Sequence, residues 1–587
     1  MRLRPFALAL AVVAAASVSS CAKDSGAPPP AAAALAPVPA PAGLVAEVFI
    51  AKPNATWTKA RELVGGPAKL LPQSYAMLVT TLLGLPPGVA EHIDNDVPTV
   101  GAVTSDGKNE LAVLAIHLRD ATKVVKAMTE GDQARFLAQE DAPSHVTLLS
   151  PKPGQTALSA SLGVTANYLL VGYAPDALLA VGPYAARTVP AHPMPTEDVV
   201  LLSTHDALAG PIKARISTWW TEAKRALDDS DKAAREKHGG ATPTFGDPKA
   251  AIARADGSFQ ALFALMGDLA EARTAVTLDE AGAHVRTTLK PFSADGPARA
   301  ELAAMVVGDQ EPLLDLPPTI SVAMLSRDTL AVRERTSKEQ EASIAQLLAG
   351  KLDDPGKARV AELLAAWAKG RGDWLAMGGQ LAAGKPSIYV RAAVADEALL
   401  EKGVRGLLDV PKIPAIGEWA SHWLGDTKVS APAPAGDGVA GNVARVDRTA
   451  VAAPSPPKDK PKDKGSKKEA ERFEVGWAFE KGVLSTVAGE HGKDELKALA
   501  AARGVGLRSD PDIKRTLEAL GGDSAFTLLV LPMRLVSSFA LKKLPPGANV
   551  PAAPVALSLG KTGDQGFVRV DASPAAVREM AKIRSLD

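Results

Sequence analysis

The chain of 587 residues contains a single cysteine, so neither an intramolecular disulfide nor a multi-cysteine metal site can form. Charge of one sign is not in excess: Lys+Arg and Asp+Glu are 66 each, and the basic surplus expected of a nucleic-acid-binding protein is missing. Aromatic residues make up only 4%, which argues against a carbohydrate-stacking surface. After the N-terminal segment no uninterrupted apolar run reaches the roughly 18 residues that a membrane-spanning helix needs. Catalytic signatures are absent too. There is no HExxH, no pair of histidines at i,i+4, no GxSxG elbow and no P-loop. The reading therefore calls for no enzyme activity, no cofactor and no metal.

What is present begins at the N-terminus. Arg2 and Arg4 precede an apolar run from Phe6 to Ala16, too short to remain as a transmembrane helix. Val18, Ser19, Ser20 and Cys21 follow. This VSSC segment resembles a bacterial lipobox, with Val18 where leucine is commonest. The resemblance implies a lipoprotein signal peptide over residues 1–20, cleavage before Cys21 and lipidation of Cys21. Two or more acyl chains anchor stably where one binds only marginally. Residue 22 is Ala, not the Asp that retains some lipoproteins at the inner membrane. The expected location is the cell envelope, with the outer membrane favoured.

Residues 21–42 read as an acylated cysteine and a Pro/Ala-rich tether. A second biased run, 454–469, carries Lys458, Lys460, Lys462, Lys464, Lys467 and Lys468 among Asp, Pro, Gly and Ser. It reads as a solvated, disordered loop, since it has too little apolar surface to offset ordering entropy.

The body between these runs is expected to be α+β, built from repeated strand–helix–β-hairpin–helix modules with antiparallel sheets. Three ungapped segments, Val48–Asn54, Val200–Asp206 and Val322–Asp328, each run from an apolar strand to Asn or Asp. That spacing predicts Asn54, Asp206 and Asp328 as N-caps of following helices. Predicted hairpins are 99–104 with 110–117, 272–279 with 283–290, 374–381 with 387–394, and 555–559 with 566–570. Further strands are expected at 145–149, 157–164 and 168–172, and again at 443–449, 473–479 and 483–488. The two series suggest tandem halves, 44–307 and 319–585. In this order the body resembles uncharacterised bacterial envelope proteins with repeated strand–helix–hairpin–helix units, a resemblance that implies no activity.

Other polar and aromatic groups read as structural. Glu91, His92, Asp94 and Asp96 form the densest polar cluster, at a turn before a predicted strand. Ser558 and Lys561 match S-x-x-K, but across a strand and a hairpin turn, where the lysine does not lie one helical turn beyond the hydroxyl. Trp219 and Trp220 are adjacent on a predicted helix, so one of them points away from the buried face. Trp419 and Trp423 are spaced i,i+4 as on a packed helix face. The leading reading is a lipid-anchored envelope protein acting as a scaffold or binding surface. Its partners are the membrane and an envelope protein or cell-wall polymer, not nucleic acid. The alternatives are an envelope hydrolase with a dispersed site, marked by a pocket with convergent polar groups, and a carrier of a hydrophobic ligand, marked by an apolar tunnel.

Overall fold

A computed structural model describes residues 35–106, 109–131, 134–153, 160–237, 248–348, 351–381, 386–424, 427–436, 441–448, 471–539 and 552–584. Cys21 and its lipobox, the tether as far as residue 34, and the Lys-rich run 454–469 lie outside the described residues. The chain is α+β, with helices and exclusively antiparallel strand pairs among the described residues. None of the described helices is long and apolar enough to cross a membrane.

The chain forms two compact units. Unit 1 comprises 1–222, 260–300 and 563–587; unit 2 comprises 223–259 and 301–562. The strands of unit 1 are β1 (Leu44–Ile50), β2 (Thr99–Ser105), β3 (Glu110–His117), β4 (Phe136–Asp141), β5 (Val146–Pro151), β6 (Ser161–Thr165), β7 (Tyr168–Gly172), β8 (Val199–Thr204), β9 (Leu269–Asp279) and β10 (Gly282–Pro291). Those of unit 2 are β11 (Val322–Arg327), β12 (Arg371–Gln380), β13 (Ser387–Val394), β14 (Thr427–Val429), β15 (Ala433–Pro434), β16 (Asn442–Arg448), β17 (Glu471–Glu480), β18 (Val483–Gly489), β19 (Ser524–Val530) and β20 (Val555–Thr562). The last strand, β21 (Gln565–Ala572), belongs to unit 1.

In unit 1 the pairing order is β4–β5–β6–β7–β3–β2–β1–β8–β9–β10–β21. The β9–β10 hairpin closes over Glu280 and Ala281, and Asp279 accepts from the Ala281 and Gly282 amides. The sequence reading assigned 563–585 to the second half. In space this segment clusters with unit 1, because β21 pairs with β10 from Ala283↔Ala572 to Leu289↔Gly566.

Both faces of the unit 1 sheet are covered, as period-2 strands with two apolar faces require. One core holds Trp57, Tyr75, Phe136, Leu162 and Leu169. The other holds Phe49, Val100, Val113 and Leu170 beneath the helix Pro175–Arg187. That helix approaches closely because residue 182 is glycine: a Cβ there would lie 2.5 Å from Leu170 Cδ1. Burial of Leu178, Val181 and Tyr184 fixes its rotation.

In unit 2 the order is β20–β19–β11–β12–β13–β18–β17–β16, with β14 and β15 both on the far edge of β16. Its core gathers Leu313, Leu316, Leu325, Leu507, Ile513, Leu517 and Leu529.

The capping expectation is corrected. Asn54 sits inside the first turn of the helix Pro53–Val64, and its side chain accepts instead from Tyr75 N, at the start of the helix Tyr75–Leu82. Asp206 is the second residue of a three-residue helical turn and caps nothing. At the third junction Thr329 is the cap, accepting from Val332 N, while Asp328 turns to Arg371 at 2.9 Å. The three residues do fall where strand meets helix, but among these junctions a side-chain cap occurs only at the third, from Thr329. The end of the Pro/Ala run is also not free chain. Val38 and Thr188 exchange two hydrogen bonds (2.9 and 2.7 Å), and Arg187 donates to the Ala36 carbonyl.

Candidate functional site

A cavity of about 960 Å³ opens on the β1–β8–β9 face of unit 1. Its floor follows from strand register. Glu47 stands opposite Leu202, and Leu202 opposite Arg273. Two residue pairs along, Phe49 stands opposite Val200. At the other end Thr204 stands opposite Glu271. Alternation puts Glu47 and Phe49, Val200, Leu202 and Thr204, and Glu271 and Arg273 on one face. Leu44, Tyr184, His192, Met194, Asp206 and Pro211 complete the wall.

Glu47 is 6% exposed, unusual for a carboxylate. Two donors reach it, one from the helix Pro175–Arg187 and one from the segment that follows. Tyr184 Oη donates to Oε1 at 2.5 Å, and His192 Nδ1 lies 3.1 Å from Oε2. Burial, followed by the hydrogen bond and the charge of Glu47, pushes the Tyr184 phenol well above its ordinary range. The phenol therefore stays a neutral donor. Tyr184 and His192 supply hydrogen bonds but no permanent charge.

The nearby cations are committed elsewhere. Arg273 makes a bidentate pair with Glu197, 2.7 Å on each arm, and holds the Glu197 carboxyl down to about 2. Lys59 pairs with the buried Asp198 at 2.8 Å. Asp198 also accepts from Thr56 and from Leu278 N, which ties the helix Pro53–Val64 to β9. Beyond the Glu197–Arg273 pair, the cavity thus presents Glu47, Asp206 and Glu271. Its floor is apolar at Phe49, Val200 and Leu202 and acidic at Glu47 and Glu271, with Asp206 on the wall.

The residues singled out in the sequence do not converge here, except that Asp206 lines the cavity. Asp94 turns toward His117 (3.7 Å) and Arg119 (3.8 Å), away from any cluster with Glu91. No group of three metal-capable side chains occurs among the described residues. Ser558 is wholly buried in β20, whereas Lys561 donates to the Leu302 carbonyl at 2.7 Å. Trp220 is buried and Trp219 is 41% exposed, as the helical spacing of neighbours requires. The side chains of Trp419 and Trp423 lie outside the described residues. Glu47, Tyr184, His192 and Arg273 were missed. The one available signal was Glu47 itself, a lone carboxylate on the inward face of the strand LVAEVFI.

No protein-family model, no curated protein and no solved structure matches this chain.

Proposed function

We propose that this chain is a lipid-anchored protein of the cell envelope, attached through Cys21 to the outer membrane, whose body is a non-enzymatic binding surface with the Glu47 cavity as its ligand site. The observation that carries the binding reading is the buried Glu47 carboxyl group, which contacts Tyr184 and His192 and has no Lys or Arg partner among the described residues. A buried carboxylate gains most from a charge partner. The ligand is a small molecule with an ammonium group facing Glu47 and an apolar body on Phe49, Val200 and Leu202. Titration calorimetry with n-hexylamine and n-hexanoate tests it. Hexylamine should bind, and Glu47→Gln should weaken it at least tenfold. Equal binding of hexanoate overturns the reading.

The anchor has its own test. Metabolic labelling with an acyl analogue should mark the wild type and leave Cys21→Ser unmarked. Equal labelling of both removes the anchor. Fractionation of the labelled protein with the inner membrane removes the outer-membrane assignment.

The Glu47–His192 contact favours one second reading. With Nδ1 on the carboxylate, Nε2 has no partner among the described residues, the arrangement of a carboxylate-oriented general base. A hydrolase would use it to take a proton from water. No hydroxyl lies within hydrogen-bond reach of His192 among the described residues, so binding leads. Ester hydrolysis that disappears in His192→Ala would reverse that order.

The finer architecture belongs to the same proposal: tandem halves, 44–307 and 319–585, of one strand order built from repeated modules. Support comes from the pairings. The order β5–β6–β7–β3–β2–β1–β8–β9 corresponds strand for strand to β16–β17–β18–β13–β12–β11–β19–β20, which leaves β21 as the counterpart of β10. Val285-Arg286 recurs as Val568-Arg569, and Arg286 stands opposite Arg569. Counterpart strands thus pair with each other, in the manner of a self-complementary dimer contact. An experimental structure in which 44–291 and 322–572 differ in strand order would refute it.

A further inference from the structure

A second cavity, of about 380 Å³, lies wholly within unit 2 and differs chemically from the Glu47 site. Its floor is one face of the sheet: Leu375 and Met377 on β12, Val390 on β13, Thr486 on β18, Val475 on β17 and Val446 on β16. Register sets these side by side, since Met377 faces Val390 and Val390 faces Thr486. Its roof comes from Trp367 on the helix Asp354–Gly370 and from Val404 and Leu407 on the helix Glu397–Asp409. Among the described residues no charged side chain lines it. The sole side-chain hydroxyl is that of Thr486. Its Oγ1 is buried and has no hydrogen-bond partner among the described residues.

These two facts define an occupant. A well-packed interior does not leave this much apolar space, and a buried hydroxyl without a partner carries a desolvation cost. An apolar cavity of ~150 Å³ accepts benzene, so this one has room for roughly a dozen carbons. The Lys-rich run between β16 and β17 has few apolar side chains with which to fill it.

We infer that this cavity is a binding site for an uncharged hydrocarbon chain bearing one hydrogen-bonding oxygen, such as a fatty alcohol or the ester end of a neutral acyl lipid, with Thr486 Oγ1 meeting that oxygen and the β12–β13–β18–β17 floor covering the chain. A fatty acid anion is the poorer ligand, because the described lining offers its carboxylate no cation. The site does not depend on the Glu47 cavity or on any ligand there.

Equilibrium dialysis of the full chain with radiolabelled 1-dodecanol, dodecane and dodecanoate at pH 8 tests this. Dodecanol should bind saturably and at least tenfold more tightly than dodecanoate. Thr486→Val preserves shape and removes the hydroxyl. It should weaken dodecanol about three- to tenfold and leave dodecane unchanged. Val390→Phe, which fills the floor, should abolish binding of both, with a melting temperature no lower than wild type. Should that variant unfold, Thr486→Val decides. Glu47→Gln should leave dodecanol binding unaltered, which separates this site from the other one. Absence of saturable dodecanol binding, equal binding of dodecanoate, or full dodecanol affinity in Thr486→Val overturns the inference.

Discussion

Tyr184 donates its phenolic hydrogen to Glu47 at 2.5 Å across 137 residues of sequence. The bond joins the helix Pro175–Arg187 to the strand beneath it. Tyr184→Phe keeps the ring and strands a buried carboxylate oxygen. It should destabilise unit 1 by about 1–3 kcal/mol. Urea unfolding should show a lower midpoint at an unchanged slope.

The Glu197–Arg273 pair sets an acid limit. Glu197 titrates at about 2 instead of its ordinary 4.5, chiefly through the Arg273 hydrogen bonds. A depressed carboxyl contributes stability that is full above 4.5 and is lost as pH falls toward 2. Arg273→Leu should flatten the stability–pH curve in that window. An unchanged curve would show the pair to be neutral.

His284 acts with the opposite sign. Its imidazole is raised by the hydrogen bond to the buried Asp571, against the opposing effect of burial and with further help from Asp279. A raised histidine contributes stability that is full below its unfolded value near 6.5 and is lost as pH rises through the folded value. The stability difference between wild type and His284→Gln, measured by denaturant titration, should therefore shrink above pH 6.5.

Asp206 and Asp328 occupy matching places in the sequence and should respond differently to removal. Asp206 is exposed and caps nothing, so Asp206→Ala should change stability by less than about 0.5 kcal/mol. Asp328 holds the buried Arg371, two of whose side-chain nitrogens have no other partner. Asp328→Ala should cost about 3–5 kcal/mol, the loss expected when a buried charge is orphaned. Thermal melts of the two variants side by side check the contrast.

Asp268 anchors the chain after β10. It accepts from Ser293 N at 3.1 Å and Ala298 N at 2.9 Å, and the Ser293 side chain first, then these amides, hold its carboxyl below the ordinary range against the opposing effect of burial. Asp268→Asn replaces one acceptor oxygen with a donor. It should cost about 0.5–2 kcal/mol at neutral pH, and less as acid protonates the wild-type carboxyl.

Much of the fold was legible because its strands obey local rules. Glu110–His117, Tyr168–Gly172 and Ser387–Val394 alternate or run apolar between turn residues, and their bounds agree with expectation. The helix Ala121–Thr129 was legible too, whereas its cap, Asp120, which accepts from Lys123 N, was not singled out. β4 was missed because FLAQED leaves Leu137 to Asp141 largely toward solvent and carries no apolar period. The capping residues were misread because a textual match at fixed offset says where the chain turns, not which side chain meets the free amides. Asn54 is spent on a second helix and Thr329 displaces Asp328. The Glu47 cavity was illegible for a different reason. Its donors lie 137 and 145 residues away and arrive only once the sheet has ordered β8 beside β1.

The reciprocal Val38–Thr188 bonds, with Arg187 on Ala36, also decide where force enters the protein. Tension along the segment that leads from Cys21 does not reach β1 first. It is taken up at the C-terminal end of the helix Pro175–Arg187, three and four residues beyond Tyr184, and His192 follows four residues later. A pull on an anchor at Cys21, as proposed, would thus be applied beside the two side chains that hold Glu47, and the load path would run along the wall of the cavity.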